Sequence, residues 1–263
     1  CSSLTSVRIG DSVETIGDGA FENTHLTNVV IPDSVRTIGY IAFSRCSSLT
    51  SVRIGDSVET IGDGAFENTD LTQVDIPDSV RTIGNSAFRR SGLTEIIIPD
   101  NVTTIGDYAF YNTDLRQVDI PDSVTTIGDG TFGGIRTLRN VQIGDSVETI
   151  GDYAFFNTDL TQVDIPDSVR TIGNSAFRRS GLTEIIIADN VTTIGDYAFY
   201  ETYLRQVDIP DSVTTIGERA FSRCSSLTSV RIGDSVETIG DGAFENTDLT
   251  QVDIPDSVRT IGN

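Results

Sequence analysis

The chain is 263 residues long and carries 39 Asp and Glu against 18 basic residues, all of them Arg, for a formal net charge of −21. That balance excludes nucleic acid as a partner, because phosphate binding needs cationic side chains to displace counterions, and it works equally against anionic membrane surfaces. No run of eighteen apolar residues occurs, so no membrane span is predicted, and no signal peptide is recognisable.

Taken from the N-terminus, a single frame recurs twelve times, registered on Phe21, Phe43, Phe66, Phe88, Phe110, Phe132, Phe155, Phe177, Phe199, Phe221 and Phe244 in steps of 22 or 23 residues, with a last copy that stops before its Phe. The extra residue always falls between Phe and the next Leu, as in Phe43 to Leu49, Phe132 to Leu138 and Phe221 to Leu227. That gap reads as a loop that tolerates insertion. No linker or change of composition interrupts the series. Residues 1–263 are therefore expected to form one solenoid array, cut from a longer one and without terminal caps.

Within a repeat such as Leu71 to Phe88, Leu-x-x-Val-x-Ile ends in period-two alternation, the signature of a strand. Leu71, Val74 and Ile76 would point inward, and Gln73 and Asp75 outward. Pro77-Asp78-Ser79 punctuates the strand as a turn. Val80 and Ile83 return to the core across a short bend, and Gly84 is expected to supply a backbone angle other residues resist. Ala87-Phe88 fits a single helical or 3₁₀ turn. Stacking the repeats would bury continuous columns of Leu, Val, Ile, Ala and Phe and set the strands ~4.8 Å apart in one parallel sheet. The predicted class is an α/β repeat solenoid, mostly strand and turn.

A longer period overlies the short one. Residues 46–85 are identical to 224–263, and 71–98 to 160–187, an offset of 89 that spans four repeats. Folding demands similar columns but not identical surfaces. Such identity points to recent duplication or to deliberate consensus construction, and irregularities such as Phe132-Gly133-Gly134-Ile135, or Pro99 against Ala188, favour duplication.

The chemistry-bearing residues mostly repeat with the scaffold, whereas an active site is singular, so no enzyme is expected. His25 has no second His to build a triad or metal site with. Cys1 and Cys46 share a column two repeats apart, roughly 9–10 Å on the strand spacing, beyond the reach of a disulfide. With Cys224 they read as half-buried free thiols. Asp11, Asp33, Asp56, Asp78 and their equivalents make an unbroken acidic ladder, whose carboxylates are expected to accept bonds from turn amides or from the following Ser. An edge that binds calcium is the sharper alternative. Glu14, Arg36, Glu59 and Arg81 alternate on adjacent repeats, as do Glu148 with Arg170 and Glu237 with Arg259, and would pair across strands to fix register. Asn101-Val-Thr103 and Asn190-Val-Thr192 are N-glycosylation sequons, relevant to a secreted eukaryotic chain, or else turn Asn residues replacing Ser.

Leu-x-x-Val-x-Ile-Pro-x-Ser-Val-x-x-Ile-Gly-x-x-Ala-Phe resembles the BspA-like (Treponema pallidum type) leucine-rich repeat over essentially the whole chain, without that family's regular Cys before Leu. The resemblance implies a right-handed, curved solenoid, a horseshoe or superhelix with its strands on the concave side. Relatives are largely surface or secreted proteins, several linked to adhesion, with no shared catalytic residues. On this reading the outward strand column is the candidate binding face: Arg8, Val30, Arg53, Asp75, Ile97, Asp119, Gln142, Asp164, Ile186, Asp208, Arg231 and Asp253. The expectation is a non-enzymatic cell-surface or extracellular protein that adheres to a protein or matrix ligand through this face. The alternative is a structural polymer, in which the repeats self-associate into a fibre, sheath or stalk.

Overall fold

In the computed structural model, which describes residues 3–263 and so leaves Cys1 outside, the chain winds into twelve stacked coils, one per repeat. They are numbered here from the N-terminus, coil 1 carrying Phe21, coil 6 Phe132 and coil 10 Phe221. The expected columns form the core. Leu71, Val80, Ile83, Ala87 and Phe88 are wholly buried, as are their equivalents through most of the array. The Phe rings stack face to face from Phe21 to Phe244 with centroids 5.1–5.7 Å apart and planes within 14°. A ring on a single coil would lie open to water; between two others it loses both faces to apolar neighbours, a gain of roughly 1.5–3 kcal/mol for each buried side chain.

The sheet is not the one the alternation predicts. The continuous ladder runs through the Thr-Ile pairs that follow the turn. Five of them, Thr15–Ile16 to Thr104–Ile105, pair in parallel register in coils 1–5, and seven, Thr126–Ile127 to Thr260–Ile261, in coils 6–12. Where this ladder breaks, between coils 5 and 6, the stack continues through Phe110 on Phe132 and through a Tyr108 N–H donating to the Asp129 carbonyl at 2.7 Å.

The Leu-x-x-Val-x-Ile segments instead pair two by two. Asn28–Val30 pairs with Ser51–Arg53, Gln117–Asp119 with Asn140–Gln142, and Gln206–Asp208 with Ser229–Arg231. Single parallel bridges add Asp75 to Arg53 and join Asp164 to Ile186. The three pairs stand 89 residues apart, so the long period is a structural unit as well as a sequence one. In each pair the second strand follows the inserted loop residue. That residue is taken up by an extra turn, in which Leu49, Leu138 and Leu227 donate to the Cys46, Ile135 and Cys224 carbonyls at 2.9–3.1 Å. The same coils replace Pro by Gly after the strand. A Cβ on Gly144 would lie 2.6 Å from the Pro121 carbonyl oxygen, a separation that real side chains do not reach.

No helical turn forms at Ala-Phe. Two residues per coil there adopt positive φ, for example Gly19 at 59° and Asn23 at 54°, or Tyr108 at 58° and Asn112 at 55°. A left-handed residue at each end of the segment cannot propagate a right-handed helix. The backbone N–H groups divide instead: Gly19, Phe21 and Asn23 donate to Tyr40, Ala42 and Ser44 of the next coil at 2.8 Å, while Ala20 and Glu22 close turns onto Gly17 and Gly19 of their own. Every donor in the segment is thereby satisfied. The glycine column before it, which includes Gly84, serves another purpose than backbone angle. None of these glycines has positive φ; a Cβ on Gly39 would lie 2.8 Å from the Ile16 carbonyl oxygen and 2.7 Å from Asp18 Oδ1. Close approach of successive coils excludes a side chain there.

Candidate functional site

All twelve residues of the outward strand column are exposed. Strand register sets Val30 opposite Arg53, Asp119 opposite Gln142 and Asp208 opposite Arg231, and the single bridges set Arg53 beside Asp75 and Asp164 beside Ile186. The row mixes charge with bare apolar surface: Ile97 is 83% exposed, Ile186 73% and Val30 58%. These are β-branched side chains at positions where the pleat directs them outward.

Arginine organises the carboxylates at two places on this face. Arg53 Nη2 donates to Asp33 Oδ1 at 2.9 Å; Arg231 donates to Asp208 at 2.6 Å through Nε and to Asp211 at 3.0 Å through Nη1. The Asp33 carboxyl is held below its ordinary range first by the Asp56 backbone N–H and then by Arg53. Asp211 is lowered first by Arg231 and then by the Asp234 N–H. Between coils 9 and 10, where no strand pairing closes the face, a cleft of about 470 Å³ opens among Ile186, Val207, Pro210, Asp189, Asp208 and Arg231. A smaller one, about 400 Å³, lies between coils 7 and 8 beside Gln142 and Asp164.

The Asp ladder behaves in part as expected. Asp33, Asp122 and Asp211 accept the backbone N–H of Asp56, Asp145 and Asp234 at 3.2, 2.7 and 3.1 Å. The following Ser does not bond them; Ser34, Ser79, Ser168, Ser212 and Ser257 donate to a Val carbonyl of the preceding coil at 2.6–2.8 Å. No group of three or more His, Cys, Asp or Glu side chains gathers into a metal-holding cluster among the described residues. Asn101 and Asn190 occupy the Ser column and likewise donate through Nδ2 to the preceding coil, to the Asp78 and Asp167 carbonyls at 2.9 and 2.7 Å.

A second acidic column escaped the sequence reading. Asp63, Asn85, Asp107, Asp129, Asp152, Asn174 and Asp196 each offer Oδ1 to the backbone N–H of the equivalent residue one coil on, at 2.6–2.9 Å. The signal was present: Asp and Asn interchange in one column, and the property they share is a short side-chain oxygen that reaches a nearby amide. The alternating Glu-Arg column largely does not pair; among the described residues only Arg36 with Glu59, at 2.9 Å, forms such a bridge. Exposed side chains this long gain too little from pairing to be held. Most arginine contacts lie on the Phe turns, as in Arg89 with Glu67, Arg179 with Glu201 and Arg223 with Glu201.

Cys46 and Cys224 are free and wholly buried, deeper than expected. Each thiol donates to a Phe carbonyl of the preceding coil at 3.1 Å, in the column where Thr elsewhere caps the turn. Burial pushes the Cys224 thiol up. His25 sits in the loop, its backbone N–H on the Leu4 carbonyl. The irregular Gly130 to Gly134 stretch also has a reason. Tyr108 and Tyr111, edge to face at 5.6 Å, lean from coil 5 across Gly130 and Gly133 of coil 6, which have no side chains to obstruct them.

No helix among the described residues is long and apolar enough to cross a membrane. No curated protein matches the chain. Among solved structures it is similar to a leucine-rich repeat protein from Bacteroides ovatus, with 30% identity, 95% of this chain and 78% of that one covered, and a TM-score of 0.78. A leucine rich cell surface protein from Faecalibacterium prausnitzii is 27% identical over 99% of this chain and 76% of its own, with a TM-score of 0.50. A leucine-rich repeat protein from Eubacterium ventriosum, 24% identical, with 90% and 81% covered and a TM-score of 0.57, shares the fold. The model of the BspA type leucine rich repeat region (6 copies) matches residues 1–92, 59–180, 103–213 and 148–263. With that match along its length and the stacked coils above, the chain belongs to the BspA-type leucine-rich repeat family.

Proposed function

We propose that this chain is a non-enzymatic recognition protein of the cell surface or extracellular space, adhering to a protein or matrix ligand through the outward face of its Leu-x-x-Val-x-Ile strands. The observation that carries the reading is the row of twelve exposed side chains from Arg8 to Asp253, charged, amide and bare aliphatic by turns, beside a second exposed column two residues earlier that includes Asn28, Ser51 and Gln117. Such an extended, varied surface on a rigid solenoid suits protein recognition. The likeness to a cell surface protein of Faecalibacterium prausnitzii supports the location. Repetition argues against catalysis, since the carboxylates and hydroxyls recur in columns and their bonds go to backbone groups of the adjacent coil.

The test is attachment. Replacing Arg53, Asp75 and Ile97 together with Ser leaves every core column intact. The variant is expected to keep its circular dichroism spectrum and melting temperature while losing adhesion to immobilised cells or matrix proteins. Adhesion undiminished in the folded variant overturns the reading.

A further inference from the structure

The strand face is open where coils 9 and 10 meet. Ile186 bridges back to Asp164, and Gln206–Asp208 pairs forward with Ser229–Arg231, yet no pairing joins Ile186 to Asp208, its counterpart one coil on. The resulting cleft takes its apolar lining from exposed Ile186 together with buried Val207 and Pro210, and its uncharged polar lining from Gln206 and Ser229. Its rim carries Asp189 and Asp208, with Asp211 close by; Arg231 is the one cation among them and is already bonded to both Asp208 and Asp211. Apolar lining and net negative rim call for an occupant with an aliphatic side chain set between cationic ones. The charge of the whole chain, −21, acts in the same direction at longer range.

The same residue pattern recurs 89 residues earlier in the sequence. Ile97 takes the place of Ile186, flanked by Asp100 and Asp119, with Gln142 where Arg231 stands, so that no arginine offsets the acids in that row. Four coils separate the two isoleucines, roughly 20 Å at the ~4.8 Å spacing of strands. An extended peptide covers that distance in about six residues. Side chains six apart in an extended chain face the same way. One peptide lying along the solenoid axis can therefore set an aliphatic side chain at each isoleucine, with cationic residues over Asp119 and Asp164 between them.

Resting on the recognition reading above, we propose that the strand face binds an extended basic segment of a protein, anchored by aliphatic side chains six residues apart, one in the cleft at Ile186 and one at Ile97. A leucine that loses its water against this lining strengthens binding by about tenfold or more. A second leucine correctly spaced adds at least as much again, because its engagement is intramolecular.

The probe is a labelled nine-residue lysine peptide with leucine at its second and eighth positions, titrated into the full chain by fluorescence anisotropy at two salt concentrations. Its controls are the same peptide with serine for one or both leucines, and one with the leucines five residues apart. The expected result is about a tenfold loss for each leucine replaced and a comparable loss on changing the spacing. Ile186→Ser and Ile97→Ser, both at exposed positions, should each abolish the advantage of one leucine and leave binding of the all-serine peptide unchanged. Equal binding of all four peptides, lost together at high salt, would mean charge attraction only and overturns the proposal. So does a leucine effect that survives both substitutions. If these titrations fail while the Arg53, Asp75 and Ile97 variant still loses adhesion, the cleft is wrong and the recognition face stands; leucine-dependent binding by a chain that adheres to nothing supports the cleft alone.

Discussion

The ring of Tyr108 lies directly over Gly130 of the next coil, in the space where a Cβ would stand. Gly130 also has a φ of 59°, so any side chain there meets a backbone penalty and an aromatic ring together. Gly130→Ala is expected to destabilise the array by about 1–3 kcal/mol. Tyr108→Ala, combined with it, should return the steric part and leave the backbone part. Urea unfolding of the two single variants and the double one measures the coupling; additivity would mean that the ring moves aside freely.

The Phe column makes a similar claim about position. Phe132 is wholly buried between Phe110 and Phe155, at 5.5 and 5.7 Å, whereas Phe244 is stacked on one side by Phe221 and only partly buried. Phe132→Ala removes two stacks and opens a cavity, a cost of about 3–5 kcal/mol. Phe244→Ala removes one stack from a site that already meets solvent and should cost less than half as much. Thermal melts of the two variants compare them directly; equal losses would contradict a core held together by neighbours alone.

The Asp and Asn column predicts an unusual tolerance. Asp152 accepts the Asn174 N–H at 2.6 Å, and Asn174 does the same for Asp196 at 2.8 Å. What the column shares is one oxygen at one place, charged or not; Asp152 also accepts Asn174 Nδ2 at 3.1 Å through its second oxygen, an exposed bond whose loss counts for little. Asp152→Asn should therefore change stability by less than ~0.5 kcal/mol, and Asp152→Ala should cost about 0.5–1.5 kcal/mol by leaving the amide without its partner. Hydrogen exchange at the Asn174 amide, slow in the parent and in Asp152→Asn, should quicken in Asp152→Ala.

These cases show where the sequence was legible. The buried columns could be read from spacing because burial depends on side-chain type, and Leu71, Val80, Ile83 and Phe88 leave no alternative face. The turn at Ala-Phe could not be read from its own coil, since Ser86 or Tyr108 says nothing of positive φ. The clue lay in aligned coils, where Gly19, Gly64, Gly130 and Gly242 share that column and Asn23, Asn68, Asn112 and Asn157 the one four residues on. Strand pairing was hidden for another reason. Alternation in Leu-x-x-Val-x-Ile marks which side chains point inward, but pairing depends on how the preceding loop delivers the strand, and the paired second strands follow one inserted residue between Cys46 and Leu49, Ile135 and Leu138, and Cys224 and Leu227. On the candidate face the outward column could be named from alternation, whereas the cleft beside Ile186 lies where the Leu-x-x-Val-x-Ile segments of coils 9 and 10 do not pair although their Thr-Ile segments do, a property of two coils together.

Arg231 and Asp211 supply a prediction about acid. The guanidinium, and after it the Asp234 amide, hold the Asp211 carboxyl below its ordinary value of 3.8. A carboxyl whose folded value is depressed stabilises the fold above its unfolded value, and that contribution is lost as pH falls through the folded one. The effect at Asp211 therefore operates only below about pH 4 and is absent from any change near neutrality. Arg231→Gln should raise the Asp211 titration midpoint towards the ordinary value, while the Asp234 amide keeps it from rising fully. Side-chain carbon chemical shifts, followed from pH 6 to pH 2 in both proteins, report each site separately. An Asp211 midpoint unmoved by Arg231→Gln would mean that the backbone amide, and not the guanidinium, sets it.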